Sequence, residues 1–276
     1  MKAFLSSLFL PLAFILISMN AFTQTRPLPA SKNKMVIIAH RGDHTNAPEN
    51  SLAACQNAID AGADFVEIDL RTTKDSALVI MHDATVDRMT GNKGLVKDFT
   101  LAQLQTIQLT QPQHAEWGTQ PIPTFKQVLA LCKGKINIYL DYKEAAVVTA
   151  YQEICNAGME KNIVVYINQP AQFSSWRNIA PQMPLMISLP KAVKTKEEMF
   201  QLLDSLQIDV LDGDADDYTP ATVMAAKEKH IPIWADIQSA NENEESWNKA
   251  LALGFPGLQT DHPKALINFL IKKGLR

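Results

Sequence analysis

VIIAHRGDHTNAPENSLAACQNAIDAGADFVEIDL, residues 36–70, contains the repeating unit of the fold. Residues 36–39 are a short β-branched run and residues 65–70 a second apolar run. Between them Leu52, Cys55, Ala58 and Ile59 recur at helical spacing. Side chains three and four apart share one face of a helix, whereas a short apolar run flanked by turn residues reads as a buried strand. Strands that stay apolar along their length are covered on both faces, as in a parallel sheet flanked by helices. The alternation continues. Strands are expected at 78–81, 136–140, 164–167, 185–188, 209–211, 231–234 and 257–259, and helices at 145–157, 196–206, 221–229 and 247–253. No Gly/Ser-rich linker or compositional shift divides the chain. The pattern predicts a single α/β domain, a (β/α)8 TIM barrel.

That reading gives nine strands for eight places. Residues 65–70 and 78–81 are joined by a segment too short for a parallel crossover, and Lys74-Asp75-Ser76 are turn formers. An antiparallel hairpin centred near Lys74 is therefore expected, returning His82 to the level of Glu67.

Composition narrows the classes. At 46% hydrophobic and 20% charged, the 276-residue chain is too apolar to be disordered. Its net charge, 26 − 29 = −3, argues against a nucleic-acid binder. Cys55, Cys132 and Cys155 are too few for a disulfide framework and read as buried free thiols. At the N-terminus, Lys2 is the only charge before Arg26, and residues 8–17 (LFLPLAFILI) are apolar throughout. Ten residues cannot span a bilayer of roughly 30 Å as a helix. This is the layout of a secretory signal. Residues 1–24 are expected to be removed and residues 25–276 to be exported, periplasmic or secreted, with no stable membrane insertion after cleavage.

Charge gathers where expected strands end, which in a barrel is the active face. His40-Arg41-Gly42 follows the first strand. His suits proton transfer and Arg a planar anion. Glu67 and Asp69 share one face of the second strand, with Ile68 on the other. Two buried carboxylates repel unless neutralised, by Arg71 or Lys143 or by a divalent cation. Oxygen-only ligands favour Mg2+ or Ca2+ over Zn2+. His82-Asp83 closes the hairpin, and Tyr139, Asp141 and Lys143 share a face at the next strand end. Together these residues predict a phosphate-ester site: an all-carboxylate metal at Glu67, Asp69 and Asp141, two imidazoles at His40 and His82, and two cations at Arg41 and Lys143.

The segments HRG (40–42), PENS (48–51), GADFVEIDLRTTKDSALVIMHD (62–83), TVDRMTGNKG (85–94), PIPTFKQVL (121–129) and YLDYK (139–143) resemble the glycerophosphodiester phosphodiesterase family, with an echo at LQTDHP (258–263). The resemblance implies a barrel related to phosphatidylinositol-specific phospholipase C. It implies a metal on Glu67, Asp69 and Asp141, His40 and His82 as the acid/base pair, and Arg41 and Lys143 at the phosphate. Glu49 matches a site-lining position. The chain departs from the pattern in having Asp141 where the family usually has Glu. It also has Trp234-Ala235-Asp236-Ile237 where the family often shows Trp-Thr-Val-Asn. Trp234 is expected to wall the pocket, and Asp236 to disfavour anionic alcohols or bind a cationic one. Asp261 is expected to cap the final helix, and Phe173 to lie near the rim. Residues 84–134 carry no extra domain, which predicts an open mouth.

The expected activity is metal-dependent hydrolysis of a small-molecule glycerophosphodiester to glycerol phosphate and an alcohol, with one Mg2+ or Ca2+ (Mn2+ is a further candidate). Two alternatives stand beside it. A lysophospholipase D or phospholipase C activity would need an apolar trough at the mouth. A non-catalytic phosphodiester-binding protein would give no product with any of these metals.

Overall fold

The computed structural model describes residues 26–110, 112–239 and 241–276. The export signal expected at 1–24 lies outside them. In chain order the strands are β1 (Val36–Ala39), β2 (Phe65–Thr72), β3 (Leu78–Ile80), β4 (Gln108–Leu109), β5 (Gln120–Pro121), β6 (Asn137–Tyr142), β7 (Ile163–Ile167), β8 (Leu185–Ser188), β9 (Val210–Asp212), β10 (Trp234–Asp236) and β11 (Gly257–Thr260). The helices are α1 (Leu52–Ala61), α2 (Asp87–Thr90), α3 (Leu101–Leu104), α4 (Phe125–Cys132), α5 (Val147–Ala157), α6 (Pro170–Ile179), α7 (Lys196–Ser205), α8 (Pro220–Glu228), α9 (Glu244–Leu253) and α10 (Pro263–Lys272).

Eight parallel strands run in the order β10-β11-β1-β2-β6-β7-β8-β9. Parallel bridges Leu211–Ile233 and Asp214–Asp236 join the two outermost strands. The sheet is thus the expected barrel, with β3 as the extra strand. Outside it, Val66, Ile68, Leu70, Leu140 and Val165 pack against the helices. Inside, Ile38, Phe65, Tyr139, Val164, Met186, Val210 and Trp234 fill the lower barrel. The polar side chains that line the interior cavity therefore collect at the upper, C-terminal end.

The β2–β3 hairpin is antiparallel as expected, but its register pairs Leu70 with Ile80. His82 therefore projects level with Ile68, one residue from the expected Glu67. The cause is the turn. Ser76 N donates to Thr73 O at 3.0 Å and Ser76 takes a left-handed φ of 66°, which makes a three-residue loop. Beyond it, Val79, Met81, Val86, Met89, Val96, Leu104, Ile107, Leu109 and Ile122 form a separate small core beside the barrel.

Helix ends follow local chemistry. Ser51 accepts from Ala54 N to cap α1, and Gly62 ends it in the left-handed conformation. Pro170 opens α6, where a fixed φ suits the first turn. Phe173 lies on that helix, packed between two apolar clusters, and does not line the active-site cavity. Cys55, Cys132 and Cys155 are free, and burial pushes the Cys132 thiol up to about 12. Among the described residues, no helix is long and apolar enough to cross a membrane.

Candidate active site

The upper ends of the strands surround a cavity of about 160 Å³. Seven of the nine expected site residues line it: His40, Arg41, Glu67, Asp69, His82, Asp141 and Lys143. Glu67 and Asp69 face inward while Ile68 packs outward, and the β2–β6 ladder sets Asp69 beside Asp141. One oxygen from each of Glu67, Asp69 and Asp141 lies within 4.8 Å of the others.

Electrostatics make this cluster unusual. Burial, then Asp69 and Asp141, push the Glu67 carboxyl well above its ordinary range. Burial, then Asp69, also raise Asp141. Burial opposes charge on Asp69 too, yet Lys143, His82 and Arg41 outweigh it and hold Asp69 low. Lys143 Nζ sits 3.1 Å from Asp69 Oδ1 and also contacts Asp141 Oδ2. Of the two cations weighed as neutralisers, Lys143 takes this role. Arg71 instead donates to the His82 carbonyl at 2.9 Å, fixing that backbone. Buried Asp69 Oδ1 and Arg41 Nε make no hydrogen bond of normal geometry. A buried, oxygen-only, net-acidic cluster fits a hard divalent cation.

Each imidazole has a carboxylate behind it. His40 Nδ1 lies 2.7 Å from Asp261 Oδ1, and His82 Nδ1 lies 2.8 Å from Asp83 Oδ1. A carboxylate at Nδ1 fixes the proton there and leaves Nε2 as the working nitrogen. Asp83 is held down to about 2, chiefly by its hydrogen bond from Arg88. Burial works against the Asp261 charge, but the hydrogen bond from His40 keeps it below the usual range. Asp261 is therefore not the helix cap expected. The residue ahead of α10 is His262, which makes no capping side-chain bond.

Arg41 takes a left-handed φ of 52°, and its backbone N donates to Glu67 Oε2 at 2.7 Å. Such strain is held only where surroundings over-determine it. Gly42 follows at φ 82°, where an added Cβ would lie 2.7 Å from the Ala54 backbone. Glu49 does not line the cavity. It accepts from Arg41 Nη1 at 3.0 Å and Arg88 Nη2 at 2.7 Å, so it aims Arg41. Trp234 is corrected as well. It is 3% exposed inside the lower barrel against Phe65, in a slot that Gly257 leaves open. Two residues further along the same strand face, Asp236 is the residue that reaches the cavity.

Several contributors escaped the sequence reading. Asn50 donates to Asp69 Oδ2 at 2.7 Å and accepts from Asp69 N at 3.2 Å. Asn168 donates to Asp141 Oδ1 at 2.6 Å. His44 Nε2 stands 3.5 Å from Asp261. Tyr166, Ser188, Asp212, Gln238 and Gln259 complete the lining beside Tyr139, whose face the sequence pattern had already given. Asn50 lies within the PENS segment, and Asn readily adopts its observed φ of 58°. The others carry no local signal.

Comparison with known proteins places this site in context. The sequence model described as "Glycerophosphoryl diester phosphodiesterase family" matches residues 40–265. A glycerophosphodiester phosphodiesterase of Caldanaerobacter subterraneus subsp. tengcongensis is 28% identical over 87% of this chain and 99% of its own. One from Bacillus altitudinis is 29% identical over 82% of this chain and 94% of its own. Among solved structures, an Oleispira antarctica phosphodiesterase in complex with the product sn-glycerol-3-phosphate superposes with a TM-score of 0.75. It is 20% identical and covers 86% of this chain and 96% of that one. The glycerophosphodiester phosphodiesterase of Agrobacterium tumefaciens gives 0.70 at 21% identity, covering 84% and 98%.

Proposed function

The chain belongs to the glycerophosphoryl diester phosphodiesterase family, and on that premise we propose that it hydrolyses glycerophosphodiesters to glycerol phosphate and an alcohol. The observation that carries this is the meeting of two imidazole–carboxylate pairs, two cations and a carboxylate triad around one small cavity.

Glu67, Asp69 and Asp141 would hold one divalent cation, Mg2+ or Ca2+ by their all-oxygen chemistry, and Mn2+ is the further candidate. When bound, such an ion polarises a phosphoryl oxygen. The rest falls to the chain's own residues. Arg41, aimed by Glu49, receives the anionic phosphate. Lys143 shares that task from the end of β6, two strands along the ring. One imidazole takes a proton at Nε2 from the attacking hydroxyl, of water or of the glycerol. The other gives a proton to the leaving oxygen. Asp261 and Asp83 keep each ring in the tautomer that makes this possible. Tight packing around Gly42 sets His40 and Arg41 at the mouth. Among the described residues, no aliphatic side chain lines the cavity, which disfavours an acyl chain and with it the lysolipid reading. We further propose export of the mature domain through residues 1–24.

The test is a panel of glycerophosphodiesters assayed for glycerol phosphate release, with and without chelator. The intact protein is expected to turn over and to stop on chelation. His40→Ala and His82→Ala are each expected to fold and bind metal yet lose hydrolysis. Near-wild-type turnover in either variant overturns the assignment.

A further inference from the structure

Opposite the carboxylate triad stands a second acidic group that the reaction above does not use. In the eight-strand ring, β9 lies four places from β2, and β10 four places from β6. Asp212 and Asp236 at the ends of β9 and β10 therefore face Glu67, Asp69 and Asp141 across the cavity. Burial, then Asp236, push the Asp212 carboxyl well above its ordinary range, and burial raises Asp236 as well. Tyr139 Oη donates to Asp212 Oδ2 at 2.8 Å, and Gln259 Nε2 donates to Asp236 Oδ1. The cavity's Arg41 and Lys143 pair instead with Glu49, Asp69 and Asp141. Among the described residues, no Lys or Arg compensates this pair.

Three buried acceptors here have no donor: Asp212 Oδ1, Gln238 Oε1 and Gln259 Oε1. Asp212 is 2% exposed and Gln259 4%, and all three residues line the cavity. Desolvated acceptors of this kind call for donors. Asp236 and Gln238 also border an adjoining hollow of about 160 Å³, where Asp214 and Asp216 add negative charge and Lys249 is tied to Asp216 at 2.6 Å. A primary ammonium brings three N–H donors and one positive charge. A hydroxyl brings a single donor and no charge. A trimethylated ammonium brings charge without donors, and an anionic group is repelled.

Resting on the diesterase reading, we propose that Asp212, Asp236, Gln238 and Gln259 form a subsite for an alcohol bearing a primary ammonium, so that aminoethyl diesters of glycerol phosphate are the favoured substrates. A site built to hydrogen-bond a donor discriminates against the analogue lacking it. The experiment compares kcat/KM for glycerophosphoethanolamine, glycerophosphocholine and glycerophosphoglycerol on the metal-loaded enzyme. The aminoethyl ester is expected to exceed the trimethylated one by at least tenfold. Asp236→Asn is expected to cut that ratio at least tenfold, whatever happens to absolute rates. Gln238→Met, at a partly exposed position, reads the same ratio if Asp236→Asn does not fold. A wild-type ratio near one, or a ratio that survives both substitutions, overturns the subsite while leaving the diesterase reading intact. A second equivalent of divalent cation, lost in Asp236→Asn and kept in Glu67→Gln, assigns the pair to a metal and also overturns it. No hydrolysis of any of the three esters overturns the diesterase reading, and this proposal falls with it.

Discussion

Asp261→Asn isolates the support behind His40. Asp261 Oδ1 accepts from His40 Nδ1 at 2.7 Å. In the proposed mechanism His40 gains a proton during turnover, and two opposite unit charges then stand at that separation. With an effective dielectric constant of about 20, their attraction is roughly 6 kcal/mol. The Asp261 side chain is 28% exposed and also lies near His44, so solvent and the second ring share that field. A net loss of about 2–4 kcal/mol remains, equivalent to a fall in kcat of roughly 30- to 1000-fold. Asparagine keeps the shape but removes the charge, and its amide can present N–H to Nδ1, which forces the proton onto Nε2. Asp261 does not line the cavity, so KM is expected to change less than threefold. The assay is glycerol phosphate release over a substrate range, with a melting curve to show that the variant is folded. A folded variant whose kcat lies within threefold of wild type refutes the positioning role.

Three further outcomes follow from the geometry. Gly42→Ala forces a side chain onto the Ala54 backbone at a left-handed φ, so a loss of about 3 kcal/mol or more and near-complete loss of activity are expected; a melting temperature within 2 °C of wild type contradicts this. Lys143→Met removes the ammonium that contacts both Asp69 and Asp141; in chelator the melting temperature is expected to fall by on the order of 10 °C, with saturating Mg2+ or Ca2+ recovering most of it, and equal losses in both conditions sink the idea. Asp83 ionises near 2 when folded and near 3.9 when unfolded, so its contacts stabilise the fold above about pH 4 and fade as pH falls toward 2. Solvent screening trims that contribution to about 1 kcal/mol. Thermal melts of Asp83→Asn and wild type are expected to differ at pH 7 and converge near pH 2, and a pH-independent gap excludes the linkage.

Much of the site was legible because charge at the end of an apolar strand is a local signal. His40, Glu67, Asp69, His82, Asp141 and Lys143 each sit there, and strand alternation alone places Glu67 and Asp69 on one face. Partnerships across the ring are not local. The His40–Asp261 contact spans 221 positions in the chain, and nothing near LQTDHP marks which strand end it will face. Trp234 shows a second limit. Its place at the pocket wall came from a motif alone; the strand starts at Trp234 and not at 231, and the stagger of the barrel decides which layer a side chain enters. The hairpin register slipped by one for a comparable reason, since Ser76 accepts a conformation that few side chains favour.

The two imidazoles stand on different foundations. His40 rises from the barrel wall, whereas His82 directly follows Met81, a member of the small cluster built from Val79 to Ile122. In the proposed mechanism, mild heating or denaturant that melts this annex before the barrel would silence hydrolysis while leaving the Glu67, Asp69 and Asp141 cluster in place. Inactivation and unfolding would then part company along the temperature axis.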